Sequence, residues 1–257
     1  MTRESAADVD ALDGRFTAWV DGLEARHLAD LTFPEVSRSL RALSSAYVER
    51  RSTLREGAAL SGAGKRAAFA LFYGPLHFLL IRHIVRSLPH RTVSGEAIVD
   101  LGCGTGAAGA AWATAVSRAP TVVGVDAHPW AAEEARRTYR TFGLRGQART
   151  GDATRVVFAA RSTVISAFVV NELNSASRDA LLARLLAHVR DGGHGLVVEP
   201  LAKSVTPWWG AWQRAFEDAG GRADEWRARV PLPPIVEKLD RAAGLNHREL
   251  TGRSLFM

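Results

Sequence analysis

The sequence predicts an α/β chain: a doubly wound, mostly parallel sheet with helices on both faces, preceded by a helical N-terminal cap. Three observations carry this reading. Apolar residues recur at helical spacing through the first ninety or so positions and give way to short apolar runs from Ala97 onward. From there, strand-like runs alternate with helical stretches to the C-terminus, the pattern of βα units covered on both faces. The first run, Ala97-Ile98-Val99-Asp100-Leu101, ends in a glycine cluster that opens a helix.

In the N-terminal part, Phe16, Val20 and Leu23, then Leu40, Leu43 and Tyr47, mark two or three helices between Leu12 and about Arg55. Phe33-Pro34 separates them, because proline disfavours helix in the residue before it. Ser61-Gly62-Ala63-Gly64 reads as a loop, and Arg66 to Leu88 resumes as helix, with a kink or restart at Tyr73-Gly74-Pro75. Strands are expected at 97–101, 121–125, 147–150, 163–170, 194–199 and 245–250, with helices at about 107–118, 130–142, 177–189, 207–219 and 233–243. The last residues, His247 to Met257, read as a terminal hairpin turning at Thr251-Gly252. This divides the chain into a substrate-selecting cap, 1–92, and a sheet domain, 93–257.

A length of 257 residues, 47% hydrophobic and 23% charged, is enough to bury one large core and excludes disordered and collagen-like order. The net charge of +6 rests almost wholly on arginine, since Lys65, Lys203 and Lys238 are the only lysines. So modest an excess does not by itself mark a nucleic-acid stripe. It is unevenly placed: residues 1–35 carry 3 basic and 8 acidic side chains, residues 36–91 carry 10 and 2. An anionic partner, or the acidic arm folding over the basic one, accounts for that. One cysteine, Cys103, excludes an internal disulfide and a cysteine metal or iron–sulfur centre, and the histidines lack ligand spacing, so no metal is expected. The polar start MTRESAADVD is unlike a signal peptide, and His77, Arg82, His83 and Arg86 interrupt the most apolar stretch, Ala67 to Leu88. A cytoplasmic chain with no membrane partner is the expectation.

The glycine cluster Gly102-Cys103-Gly104-Thr105-Gly106 lets a backbone approach a ligand closely and presents amides at a helix N-terminus. Because Gly104, Gly106 and Gly109 also fit the dinucleotide spacing, the turn alone does not choose a cofactor. Three carboxylates do. Asp100, at the strand end, suits an ammonium group and would repel a pyrophosphate. Asp126 closes the next strand, 20 residues after Gly106, where a carboxylate takes ribose hydroxyls. Asp152, in Gly151-Asp152-Ala153, follows the third strand and suits an adenine amino group.

With these pieces in order, and Asn171-Glu172-Leu173 after the fourth strand, residues 95–200 resemble the class I S-adenosylmethionine-dependent methyltransferases. The resemblance implies a Rossmann-like methyltransferase sheet and S-adenosylmethionine as cofactor, with S-adenosylhomocysteine as product. It implies a cofactor site of Asp100, Gly102, Cys103, Gly104, Gly106, Asp126, Ala127, Asp152, Ala153 and Asn171. Asn171-Glu172-Leu173 falls where that family places its motif beside the transferred methyl. It is neither the Asn/Asp-Pro-Pro-aromatic motif of nitrogen methylation nor a histidine base of oxygen methylation, so the acceptor atom stays open. Glu172, Asn171 and Tyr73 are the candidates for catalysis. Cys103 sits where the family often puts a small residue or cysteine, and no histidine lies near it in sequence, which argues against a nucleophile. Tyr73 and His77 in the kinked segment, Trp208 and Trp209 after Glu199-Pro200, and Arg253 near the C-terminus are the candidates for substrate contact.

A small-molecule acceptor under the cap is the first functional reading, because burying the acceptor excludes water from the transfer. RNA is the second. Leu43 to Arg51 and Phe168 to Leu173 are weakly similar to the methyltransferase-like family associated with the small ribosomal subunit, and Arg38, Arg41, Arg50, Arg51, Arg55, Lys65 and Arg66 would supply a basic face. The cysteines by which that family binds an iron–sulfur cluster are missing here. A non-catalytic assembly factor that keeps the cofactor pocket is the third reading, and an NAD oxidoreductase, disfavoured by Asp100 and Asp152, a distant fourth.

Overall fold

Strands β1 (Ala97–Leu101), β2 (Thr121–Asp126), β3 (Gly146–Thr150), β4 (Thr163–Ala167) and β5 (His194–Glu199) run parallel in one sheet, in the spatial order β3-β2-β1-β4-β5. Two further strands, β6 (Arg222–Ala228) and β7 (Leu250–Phe256), extend it, β7 lying antiparallel between β5 and the edge strand β6. The computed structural model describes residues 6–49, 60–89, 97–116, 118–202 and 206–257. The central strands read as unbroken apolar runs because helices cover both faces. On one side lie α4 (Gly74–Ser87), α5 (Ala107–Ala115) and α6 (Pro129–Thr141), which bury Ile81, Trp112 and Tyr139. On the other, α7 (Ser175–Arg190) and α8 (Trp209–Asp218) bury Leu181, Leu185, Trp212 and Phe216 against Val99, Val164, Val197 and Leu255.

The N-terminal helices α1 (Ala6–His27), α2 (Phe33–Glu49) and α3 (Ala63–Ala68) join the first of these layers, and α9 (Pro234–Ala242) packs beside them. Glu35 accepts the Thr32 amide and hydroxyl, both at 2.7 Å, which caps the start of α2 where Pro34 removes a donor. The acidic arm does fold onto the basic one: Asp13 pairs with the buried Arg82 at 2.8 Å. Trp19 donates its indole N–H to Thr138 of α6 at 3.0 Å, tying α1 to the sheet layer.

Between α3 and α4 the helix widens into a π-helical turn, Phe69–Tyr73, which is the form the expected kink at Tyr73-Gly74-Pro75 takes. Ala63 and Gly64 lie inside α3, so the expected loop is shorter than the sequence suggested. By length and composition Ala63–Ser87 is apolar enough to cross a membrane despite its charged residues, but 72% of its most apolar window is buried inside the fold.

The C-terminal expectations need correction. No strand covers 245–249 and there is no terminal hairpin: Leu250–Phe256 is one continuous strand, and its partner β6 lies about thirty residues upstream. Arg222–Ala228 hid as a strand because an edge position exposes much of it, so polar residues replace the apolar alternation. Likewise β4 stops at Ala167 and not at 170: Phe168 turns into the left-handed region at φ 63°, and a 3₁₀ turn, Val170–Glu172, follows.

Trp212→Ala is expected to cost about 3–5 kcal/mol in urea unfolding, because its side chain is 2% exposed in the α7/α8 layer. Val157→Ala, at a side chain 86% exposed, should stay within about 0.5 kcal/mol. Equal losses in both would contradict the packing described.

Candidate active site

The turn from β1 to α5 is built on three glycines with positive φ, Gly102 (60°), Gly104 (51°) and Gly106 (77°). At Gly102 a Cβ would stand 2.4 Å from Val169, and at Gly106 2.9 Å from the backbone of Ala135, so close packing as well as conformation demands glycine. Two carboxylates hold the turn. Asp126 accepts the Gly104 amide at 2.9 Å on one oxygen and the His128 amide at 2.8 Å on the other. Asp100 reaches beneath the turn to the Gly109 amide at 2.9 Å. Gly106 caps α5 without any side-chain acceptor, and with the Gly109 amide taken by Asp100 the amides of Ala107 and Ala108 remain at the positive end of the helix dipole.

Burial sets the ionisation of this region. Asp100 is 1% exposed, and desolvation, reinforced by Asp126, lifts its pKa from 3.8 to about 7 against the pull of the Gly109 amide. Asp126 is raised as well, mainly by burial. The Cys103 thiol, buried and beside both carboxylates, is pushed well up, so it stays protonated and is no nucleophile. Asp152 differs: it is exposed, caps the 3₁₀ turn Ala153–Arg155 through the Thr154 amide and hydroxyl at 2.8 and 2.6 Å, and these bonds lower its pKa. Ala127 lies exposed just beyond β2.

The π-helical turn lies over this end of the sheet. A Cβ on Gly104 would come 3.2 Å from the ring of Phe69, and one on Gly74 3.1 Å from the Thr105 hydroxyl. Tyr73 and His77 continue the same face, their rings 5.9 Å apart, and His77 stacks on Phe168 at 4.1 Å. Burial drops the His77 pKa to about 4, so its ring is uncharged at neutral pH.

Beyond Phe168, Asn171 is held at both ends. Its side-chain amide donates to Glu199 at 2.6 Å, its backbone amide to the same carboxylate at 3.3 Å, and its oxygen accepts the Trp208 indole N–H at 2.9 Å. Glu172 is exposed on the same turn, and Asn174, not Glu172, caps α7 through the Ser177 amide at 2.9 Å. Trp209 is buried, with the Arg253 guanidinium 4.1 Å over its ring. The fold thus gathers Tyr73 and His77 over the glycine turn, and sets Trp208, Trp209 and Arg253 around Asn171 and Glu199.

Glu199, Phe69 and Phe168 were not singled out as site residues in the sequence. An acidic residue closing an apolar strand, Leu196-Val197-Val198-Glu199, was the available signal for Glu199, the same one that marks Asp100 and Asp126. Nothing local announces the positive φ of Phe168. Of the basic set, Arg38 and Arg41 are exposed one turn apart on α2 and Lys65 and Arg66 are half-buried, while Arg50, Arg51 and Arg55 lie outside the described residues. No cluster of metal-ligating side chains occurs among the described residues.

A family model described as a methyltransferase domain matches residues 98–193, from β1 through the loop before β5. A search of curated proteins returns no match. Among solved structures the chain is similar to mitomycin 7-O-methyltransferase, with 15% identity over 96% of this chain and 75% of that one, at TM-score 0.52. It is similar to an O-methyltransferase from neocarzinostatin biosynthesis, solved with S-adenosylmethionine and 2-hydroxy-5-methyl naphthoic acid, with 14% identity over 91% and 73% and TM-score 0.52. A protein of Nostoc punctiforme gives 15% identity over 90% and 72%, with TM-score 0.52. At these identities the structural likeness speaks for the fold, and the family match for the chemistry of residues 98–193. Residues 98–193 thus match a methyltransferase domain, and the chain has the fold of the class I S-adenosylmethionine-dependent methyltransferases. The glycine turn, the first two α5 amides and half-buried Asp126 fit S-adenosylmethionine: amides for a carboxylate, a carboxylate for ribose hydroxyls.

Asp100 yields a pH test. The folded state holds its proton more tightly than the unfolded chain does, so this group removes stability as pH rises from about 4 to about 7. His27 and His77, both lowered to about 4, act in the opposite sense over part of that range. Asp100→Asn isolates the effect: its stability relative to the parent should rise by up to about 4 kcal/mol between pH 4 and 7, then level off. A pH-independent difference in denaturant unfolding would contradict a buried, proton-retaining Asp100.

Proposed function

We propose that this enzyme methylates a small, planar acceptor enclosed beneath its N-terminal helices. One observation carries the reading: Phe69, Tyr73 and His77 of the widened helix meet Phe168 at the end of β4, forming an aromatic cluster that bears directly on Gly104 of the glycine turn. When bound, S-adenosylmethionine supplies an electrophilic methyl group on a cationic sulfur. The residues proposed to hold it are the glycine turn with the first amides of α5, Asp126, and the Asp152-Ala153 turn.

The chain's own contribution is alignment and desolvation. Ring faces of Phe69, Tyr73 and Phe168 favour a cation beside them, and an uncharged His77 adds no opposing charge. Tyr73 is the hydroxyl within the cluster and our candidate for orienting the acceptor. Asn171 is a positioning residue: clamped between Trp208 and Glu199, it fixes the turn that carries Phe168 toward the cap. In support, the mitomycin and neocarzinostatin enzymes of similar fold act, by their names, in small-molecule chemistry, and the second was solved with a planar aromatic acid.

Calorimetric titration with S-adenosylhomocysteine should show binding to the parent and about hundredfold weaker binding to Asp126→Ala, the scale for losing charge-assisted hydrogen bonds. Methyl transfer to a panel of hydroxylated aromatic compounds should be detectable. Phe168→Ala should lower kcat/KM about tenfold or more while cofactor affinity holds. Transfer of labelled methyl to ribosomal RNA, with none to the panel, would replace the small-molecule reading with the RNA one.

A further inference from the structure

A second feature lies at the far side of the sheet, between the first turn of α8 and strands β6 and β7. Thr206, Trp209, Gln213, Asp224, Glu225 and Arg253 line a cleft of about 430 Å³. Arg253 is 5% exposed, its guanidinium stacked on Trp209, and among the described residues its Nε and Nη2 have no hydrogen-bond partner. Leaving two buried guanidinium nitrogens without a hydrogen bond is costly, and a ligand that accepts from them recovers that cost. The cleft also receives the start of α8, where the Thr206 and Trp208 carbonyls take the Trp209 and Ala211 amides, so what the helix adds for negative charge is its dipole.

The neighbouring acids decide what kind of ligand fits. Across the three strands Glu199, Arg253 and Glu225 stand in register, so a carboxylate flanks the guanidinium on either side. Asp224 also lines the cleft, paired with Arg222 at 2.5 Å. Two arginines against three carboxylates leave the group one charge negative, which penalises a simple anion. A ligand that brings a carboxylate and an ammonium together satisfies both sets: the carboxylate toward Arg253 and the α8 start, the ammonium toward Glu225. We propose that this cleft binds an α-amino acid group, either as a free amino acid or as the end of a larger acceptor. The inference goes beyond the methyl-transfer reading and stands without it.

The test is calorimetry of the full chain against each of the twenty common amino acids, with the N-acetyl and methyl-ester forms of any that bind. Binding by at least one free amino acid is expected, lost in both blocked forms and weakened tenfold or more in Arg253→Gln and in Glu225→Gln. The second variant, at an exposed edge-strand position, guards against a folding defect in the first. Affinity for S-adenosylhomocysteine should hold in both variants, which separates failure here from failure of the cofactor site. Methyl incorporation into the bound amino acid would identify it as the acceptor; binding without incorporation would identify a ligand in its own right. No binding by any of the twenty, undiminished binding to both variants, or equal binding of the N-acetyl form would overturn the proposal.

Discussion

The structure depends on two carboxylates, buried Asp100 and half-buried Asp126, that tie down a glycine turn. Asp126 takes the Gly104 amide and Asp100 the Gly109 amide, so the loop after β1 and the helix that follows are fixed from below and from the side. A glycine-rich turn is entropically expensive to order. Charge-assisted hydrogen bonds in a desolvated setting supply the compensation, and burial in turn raises both carboxyl pKa values. Stability and ligand geometry are therefore coupled at the same atoms: the groups that order the turn also set the charge beneath it.

Everything above the turn is arranged around this fixed point. The π-helical segment places Phe69 against Gly104, and the left-handed turn at Phe168 brings a second ring to His77. Phe69, Tyr73 and His77 follow one another at four-residue spacing, which keeps them on one face as the helix passes from the widened turn into α4. On the other side, Trp208, Asn171 and Glu199 form a hydrogen-bonded chain that links the turn after β4 to the ends of β5 and α8. The aromatic cluster and the Arg253 cleft flank the strand ends on opposite sides of the turn that carries Asn171.

Much of this was legible in the sequence. The five parallel strands fall within a few residues of their expected ranges, because strands buried on both faces need apolar runs and glycine turns punctuate them. Asp100, Asp126 and Asp152 were found by position alone, each closing or following a strand. The edge strand β6 was not legible, since Arg222-Ala223-Asp224-Glu225-Trp226-Arg227-Ala228 faces solvent over much of its length and carries no apolar alternation. Its absence from the sequence reading turned β7 into a spurious hairpin, for β7 then lacked its antiparallel partner.

The sequence by itself determined the fold class, the glycine turn and the carboxylates that attend it, because those rest on local rules: strand periodicity, the conformational freedom of glycine, and acids at strand ends. Only the tertiary structure decided that Tyr73 and His77 share a cluster with Phe69 and Phe168, that Asn171 is clamped by Glu199 and Trp208, and that Arg253 is buried without a hydrogen-bonded partner at two of its nitrogens. These contacts join residues from distant strands and helices. Their energetics come from burial and from the charges brought within reach by folding, which no local pattern in the chain encodes.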